Sequence, residues 1–190
     1  MLRSFTLLRK LVFFDRDGIV NLEDSPYGYE IEKFFFAPGF IELFYRLKSQ
    51  DALCIMVTNQ SGIHRGIFKE QDLLKLHNFV QNCLTSTLTL PLREAKAYPK
   101  NIGFDGIYFC PHTQEEKCDC RKPKPGMLLQ AIKDFNLNLE QWESYILGDK
   151  ETDMQAGLQA GVKNRIHIGS ENAPTATQHF ANLKEVLNLF

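Results

Sequence analysis

Five short and almost unbroken apolar runs punctuate the chain, at residues 11–14, 53–57, 107–109, 145–147 and 165–168. Apart from 165–168, which reads RIHI, none alternates with polar residues, which is how a strand reads when both its faces are covered. Between the runs lie stretches of helical period. Residues 40–48 carry apolar side chains at 40, 41, 43, 44 and 47, and residues 70–83 carry them at 73, 74, 76, 79, 80 and 83. Residues 127–135 repeat the pattern at 127, 128, 131, 132 and 135, and a shorter stretch over 152–160 stops at Gly161. Strand and helix in alternation predict an α/β fold: a doubly wound parallel sheet with helices on both faces, in a single domain spanning 1–190.

Two segments break the alternation. Residues 21–37, rich in Gly, Pro, Glu and aromatics, read as a flap or small hairpin. Residues 111–125 hold a cysteine cluster. Each follows a strand, and loops at the carboxyl ends of strands are where open α/β sheets bind ligands. The stretch 85–102 is long and weakly patterned, and 170–190 reads as a loop and a closing helix.

Composition narrows the function. With 44% hydrophobic and 24% charged residues the chain can bury a core. A net charge of −1 provides no global positive field for nucleic acid. No apolar run approaches the roughly 18 residues that cross a bilayer. The amino-terminal residues lack a cleavage-site pattern and run straight into a strand. A cytoplasmic monomer acting on a small molecule, without nucleic acid or membrane, is the expectation. Five cysteines are an odd number. Cys54 and Cys83 read as inert thiols in apolar or helical surroundings, whereas Cys110, Cys118 and Cys120 crowd around His112, which in a reducing compartment points to a metal.

The chemistry gathers at strand ends. The first run ends in Asp15 and Asp17, one residue apart. Alone they are a turn or helix-cap pair as readily as a metal and phosphate site. The second strand ends in Thr58 within VTNQSG, where a hydroxyl and exposed amides suit phosphate oxygens. Lys122 sits in CRKPKPGM ahead of a helix. The fourth strand ends in YILGDKETD, which supplies Asp149 and, in the next helix's first turn, Asp153. Asp153 is either a helix cap or an orienter of metal-bound water.

Taken together, KLVFFDRDG, VTNQSG, CRKPKPGM and YILGDKETD resemble, in order, the four motifs of the haloacid dehalogenase superfamily of phosphatases, over residues 10 to 161. The resemblance implies Asp15 as the nucleophile that forms an aspartyl phosphate and Asp17 as the acid and base. It implies Thr58 as a donor to the phosphoryl group and Lys122 as its counter-charge. Mg²⁺ would be held by Asp15, the Asp17 carbonyl and Asp149. Ile19, where the family has Thr or Val, is a departure at a packing position.

FCPHTQEEKCDCR contains Cys110, His112, Cys118 and Cys120, a set that by chemistry suits closed, structural Zn²⁺. By spacing alone, a loop of ordinary thiols remains open. The segment resembles the zinc loop of the histidinol-phosphatase and heptose-bisphosphate-phosphatase branch, which implies that these four residues bind zinc and so fix Arg121 and Lys122.

TNQSGIHRGIF and PYGYEIEKFFFAPG resemble the heptose-bisphosphate members. The implied substrate is D-glycero-D-manno-heptose 1,7-bisphosphate, hydrolysed at its 7-phosphate on the way to nucleotide-activated heptose for lipopolysaccharide core or a related glycan. Asp24, Tyr27, Asn59, Gln60 and Ser61 would face the substrate. Arg65, Arg121 and Lys150 are candidates for its remote phosphate. A short zinc loop, closer to the histidinol phosphatases, leaves histidinol phosphate as the alternative. A zinc-containing interaction module on a phosphatase fold is the non-enzymatic rival.

Overall fold

A computed structural model of the chain describes residues 8–22, 27–93 and 102–190. Six strands form one sheet in the order β3-β2-β1-β4-β5-β6, where β1 is Arg9–Phe14, β2 Leu53–Asn59, β3 Gly106–Cys110, β4 Trp142–Gly148, β5 Asn164–Ile168 and β6 Gln178–Phe180. Every pairing is parallel. The five expected strands are all present, extended by up to four residues. β6 is an addition to the expected loop and helix at 170–190: three half-polar residues at the sheet edge carry no periodicity that a sequence reading would detect.

The helices are α1 (Phe40–Ser49), α2 (Glu70–Arg93), α3 (Gly126–Asp134), α4 (Glu151–Gln159) and the short α5 (Leu183–Val186). α2 runs ten residues past its expected end at 83. Extending a nucleated helix costs little, so its last turns need no apolar stripe. Among its described residues the expected flap contains a 3-10 turn, Ile31–Lys33, and an antiparallel bridge between Asn21 and Phe36. No helix among the described residues is long and apolar enough to cross a membrane.

Both faces of β1 are buried, which explains its unbroken apolar run. Val12 and Phe14 point to one side, into a cluster with Phe40, Phe44 and Phe104. Phe14 meets Phe40 edge-on at 5.9 Å, and Phe44 meets Phe104 at 4.8 Å. Leu11 and Phe13 point to the other side, against Ile55, Val57, Met127, Leu128, Ile146 and Met154. Truncating a buried Phe such as Phe14 to Ala would cost about 3–5 kcal/mol. Successive strands leave β1 in opposite directions, through β2 on one flank and β4 on the other. The crevice that such a reversal opens lies beyond the carboxyl ends of β1 and β4. Asp15 and Asp149 occupy those ends.

Candidate active site

β1 hands the chain on in register: the Asp15 amide donates to the Leu147 carbonyl at 2.9 Å, as though the ladder continued one residue further. Asp15 is nearly buried, at 6% exposure. Lys122 reaches it from the loop before α3, with Nζ 2.8 Å from Asp15 Oδ1 and 2.5 Å from Asp153 Oδ1. Nζ also donates to the Val57 carbonyl at 3.0 Å. The Lys122 backbone is pinned by Asn59, which donates to its carbonyl and accepts from its amide, both at 3.1 Å. Asn59 lines the cavity, yet its polar atoms serve Lys122.

Two glycines let the carboxylates converge. A Cβ on Gly18, whose φ is +85°, would stand 2.5 Å from Asp149 Oδ2, and one on Gly148 would stand 2.4 Å from the Asp153 side chain. Asp153 also caps α4, its Oδ2 accepting from the Lys150 amide at 3.1 Å. The cap reading of Asp153 therefore holds, and the same side chain also joins the acidic group. One oxygen each from Asp15, Asp149 and Asp153 lie within 4.8 Å of one another. His167, fully buried, donates from Nε2 to the Asp149 carbonyl at 2.9 Å and braces this strand end. Burial, reinforced by Asp153 and Asp149 and opposed by Lys122, pushes the Asp15 carboxyl up to about 8. Burial disfavours charge on Lys122, but Asp15 and Asp153 outweigh it and hold the ammonium protonated. Three crowded carboxylates beside one buried ammonium form a hard-oxygen donor set short of positive charge, and they fit a divalent cation such as Mg²⁺.

Asp17 points elsewhere. Its Oδ1 accepts from Arg16 Nε (3.1 Å), Arg16 Nη2 (2.8 Å) and Asn21 Nδ2 (3.2 Å), and its Oδ2 from Arg16 Nη2 (2.9 Å) and Gln60 Nε2 (2.9 Å). Burial raises its pKa, but the Arg16 guanidinium and these donors outweigh burial and hold the carboxyl below the usual range. Gln60 also donates to Thr58 Oγ1 at 2.8 Å, which leaves the Thr58 hydroxyl its own proton to donate. Arg16 is the largest fully buried side chain among the described residues, and the sequence reading missed it. Its position between two aspartates masks it as a spacer.

The cysteine cluster closes as expected. Cys110 Sγ lies 3.6 Å from Cys118 Sγ and 3.1 Å from Cys120 Sγ, with His112 Nδ1 3.3 Å from Cys120 Sγ. Sulfurs about 2.3 Å from a tetrahedral zinc would stand about 3.8 Å apart, so a small expansion accommodates the ion. All three thiols are free. The loop that they bound turns back over the strand ends, where Arg121 donates from Nη1 to the His112 carbonyl at 3.0 Å.

Above the carboxylates lies an open cavity of about 1190 Å³. Asp15, Asp17, Thr58 and Lys122 line it, with Tyr27, Asn59, Gln60, Ser61, Arg121 and Lys150. Lys117 and Lys124, absent from the sequence-based set, add to the positive rim. They went unread because lysines in a loop carry no pattern. Arg65 is exposed and is not among the residues that line the cavity. Asp24 lies outside the described residues.

The HAD-hydrolase-like family model matches residues 119–178. A D-glycero-beta-D-manno-heptose-1,7-bisphosphate 7-phosphatase of Helicobacter pylori is 44% identical over 186 residues, covering 95% of this chain and 96% of its own. A D-glycero-alpha-D-manno-heptose-1,7-bisphosphate 7-phosphatase of Campylobacter jejuni is 40% identical, covering 95% of each chain. Among solved structures, a D,D-heptose 1,7-bisphosphate phosphatase of B. bronchiseptica complexed with magnesium and phosphate superposes with a TM-score of 0.79. It is 27% identical and covers 95% of this chain and 97% of its own. Sheet order, strand-end carboxylates and relatives agree: the chain is a phosphatase that belongs to the haloacid dehalogenase-like hydrolases, in the family of the heptose-1,7-bisphosphate 7-phosphatases.

Proposed function

We propose that the chain removes the 7-phosphate from D-glycero-D-manno-heptose 1,7-bisphosphate and releases heptose 1-phosphate, through an aspartyl phosphate on Asp15. The observation that carries this reading is the two-ended charge of the cavity. Its floor holds Asp15 and Lys122 beside Asp149 and Asp153, and its rim carries Lys117, Arg121, Lys124 and Lys150. A sugar with a phosphate at each end would place one phosphate on each region. The relatives' substrate has that form.

In the first step an Asp15 oxygen attacks phosphorus, and the bond to the sugar oxygen breaks. That oxygen takes a proton from Asp17. In the second step water attacks the acyl phosphate, Asp17 takes the proton from water, and Asp15 is regenerated with release of phosphate. The donors around Asp17 suit the second step, where it starts as a base. For the first, the incoming phosphate dianion favours protonation of its neighbour. Lys122 offsets the repulsion between the Asp15 carboxylate and the phosphoryl oxygens, and the Thr58 hydroxyl donates to one of those oxygens. Asp15, the Asp17 carbonyl and Asp149 would hold Mg²⁺, which supplies positive charge to the transferring group. Asp153 would stand behind that site, between metal and Lys122. Cys110, His112, Cys118 and Cys120 would hold a structural Zn²⁺ that fixes Arg121 and Lys122. Lys150, Tyr27 and Ser61 would contact the sugar or its remote phosphate. The reaction belongs to the supply of nucleotide-activated heptose for lipopolysaccharide or a related glycan, carried out by a cytoplasmic monomer whose thiols stay reduced.

Phosphate release with Mg²⁺ from heptose 1,7-bisphosphate and histidinol phosphate, measured side by side, tests the substrate. A preference of at least about a hundredfold for the heptose is expected. Preference for histidinol phosphate would transfer the reading to that substrate.

A further inference from the structure

Two loops wall the cavity on one side: the segment after β2, residues 60–67, and the loop between His112 and Cys118. Thr113, Gln114, Glu115 and Lys117 of the second loop line the cavity, but Glu116 does not. One oxygen of its carboxylate makes three polar contacts, one of them from the Thr113 hydroxyl at 3.5 Å. Oε2 accepts from the Thr113 amide at 2.7 Å and lies 2.9 Å from His64 Nδ1 in the other wall. The backbones are stitched alongside: the Gln60 amide donates to the Cys110 carbonyl at 2.7 Å, and the His64 amide to the Pro111 carbonyl at 3.3 Å. Those bonds hold the base of the loop, where the cysteines already fix it. At the loop's tip two side chains add ties: Lys124 Nζ donates to the Lys117 carbonyl at 2.8 Å, and the His64–Glu116 contact joins the tip to the other wall. Lys117 follows directly, in a left-handed conformation at φ +49°.

We propose that His64 and Glu116 form a positioning latch that sets where the loop tip, with Lys117, stands over the far end of the cavity, and thereby sets affinity for the remote phosphate. The inference rests on the bisphosphate reading above. Neither residue touches the reacting atoms. Loss of the latch therefore weakens ground-state binding of the second phosphate and leaves phosphoryl transfer alone. The pair is partly exposed, with side chains 51% and 28% accessible, so its effect is modest.

The test uses the zinc-loaded protein in His64→Ala, Glu116→Ala, the double variant and His64→Asn, with zinc content measured for each. In His64→Ala, whose substitution lies outside the zinc loop, amide exchange across residues 111–118 becomes faster while zinc remains bound. KM for heptose 1,7-bisphosphate rises about fivefold at unchanged kcat. Turnover of p-nitrophenyl phosphate, which has no second phosphate, stays at the wild-type value. Glu116→Ala gives the same rise, the double variant adds nothing further, and His64→Asn, which keeps a donor at the Nδ1 position, restores the wild-type KM. Unchanged exchange in His64→Ala overturns the latch. So does faster exchange without a rise in KM, or a parallel loss with p-nitrophenyl phosphate. Wild-type protein that turns over p-nitrophenyl phosphate but not the heptose bisphosphate overturns the substrate reading separately, and the exchange measurement still decides whether the loops are tied.

Discussion

Behind Asp17 and Arg16, on α2, lies His77, and its protonation ties the acid stability of the fold to the electrostatics of the site. His77 is 4% exposed, its ring is 6.2 Å from that of Phe109, and its Nε2 has no hydrogen-bond partner among the described residues. Burial, and after it the buried Arg16 guanidinium, pulls its pKa from the ordinary 6.5 down to about 3. The folded protein thus keeps His77 neutral where the unfolded chain protonates it. The unfolded state then binds more protons, so stability is full above pH 6.5 and falls as pH drops toward 3. At about pH 5 the unfolded state gains a factor of roughly 33 from this one group, or about 2 kcal/mol, and any folded-state pKa below about 4 gives nearly the same figure.

His77→Phe removes the titration and keeps a ring against Phe109. Urea unfolding of both proteins at about pH 8 and about pH 5 isolates the effect, because any packing cost of the Phe is common to both pH values. The wild type should lose about 2 kcal/mol more than the variant on acidification. Equal losses in the two proteins would refute the buried, Arg16-opposed histidine.

Three further outcomes follow from the site. Lys122→Met removes the one buried ammonium between Asp15 and Asp153; kcat should fall by about 10³-fold, read by phosphate release at saturating Mg²⁺. Gly18→Ala drives a Cβ against the Asp149 carboxylate in a backbone conformation that L-residues avoid; the Mg²⁺ concentration for half-maximal activity should rise about tenfold, and an unchanged Mg²⁺ titration would contradict the convergence at Gly18. Chelation of zinc, or Cys110→Ser, should lower the melting temperature and slow turnover. Zn²⁺ but not added Mg²⁺ should restore the chelated wild type, with metal content and melting followed together.

The sheet was legible because β1, β2 and β4 are buried on both faces and their apolar runs have no other use. The strand-end carboxylates were legible because they break those runs abruptly. What escaped detection depends on direction rather than residue type. Arg16 reads as a spacer in DRDG, yet its side chain folds back to grip Asp17 from the protein interior. Arg65 reads as a phosphate ligand in HRG, yet it is exposed and is not among the residues lining the cavity, while its neighbour His64 ties the loops. Lys117 and Lys124 reach the rim through loop geometry, which no residue pattern announces. β6 is three residues long and depends on β5 for its pairing, so no local period announces it.

The most direct measurement is ³¹P NMR of heptose 1,7-bisphosphate turned over by the wild type and by Asp15→Asn with Mg²⁺ present. Loss of the 7-phosphate resonance with the 1-phosphate retained, and no turnover in Asp15→Asn, is the outcome expected of a 7-phosphatase that works through Asp15. Loss of the 1-phosphate, or wild-type rates in Asp15→Asn, would contradict it.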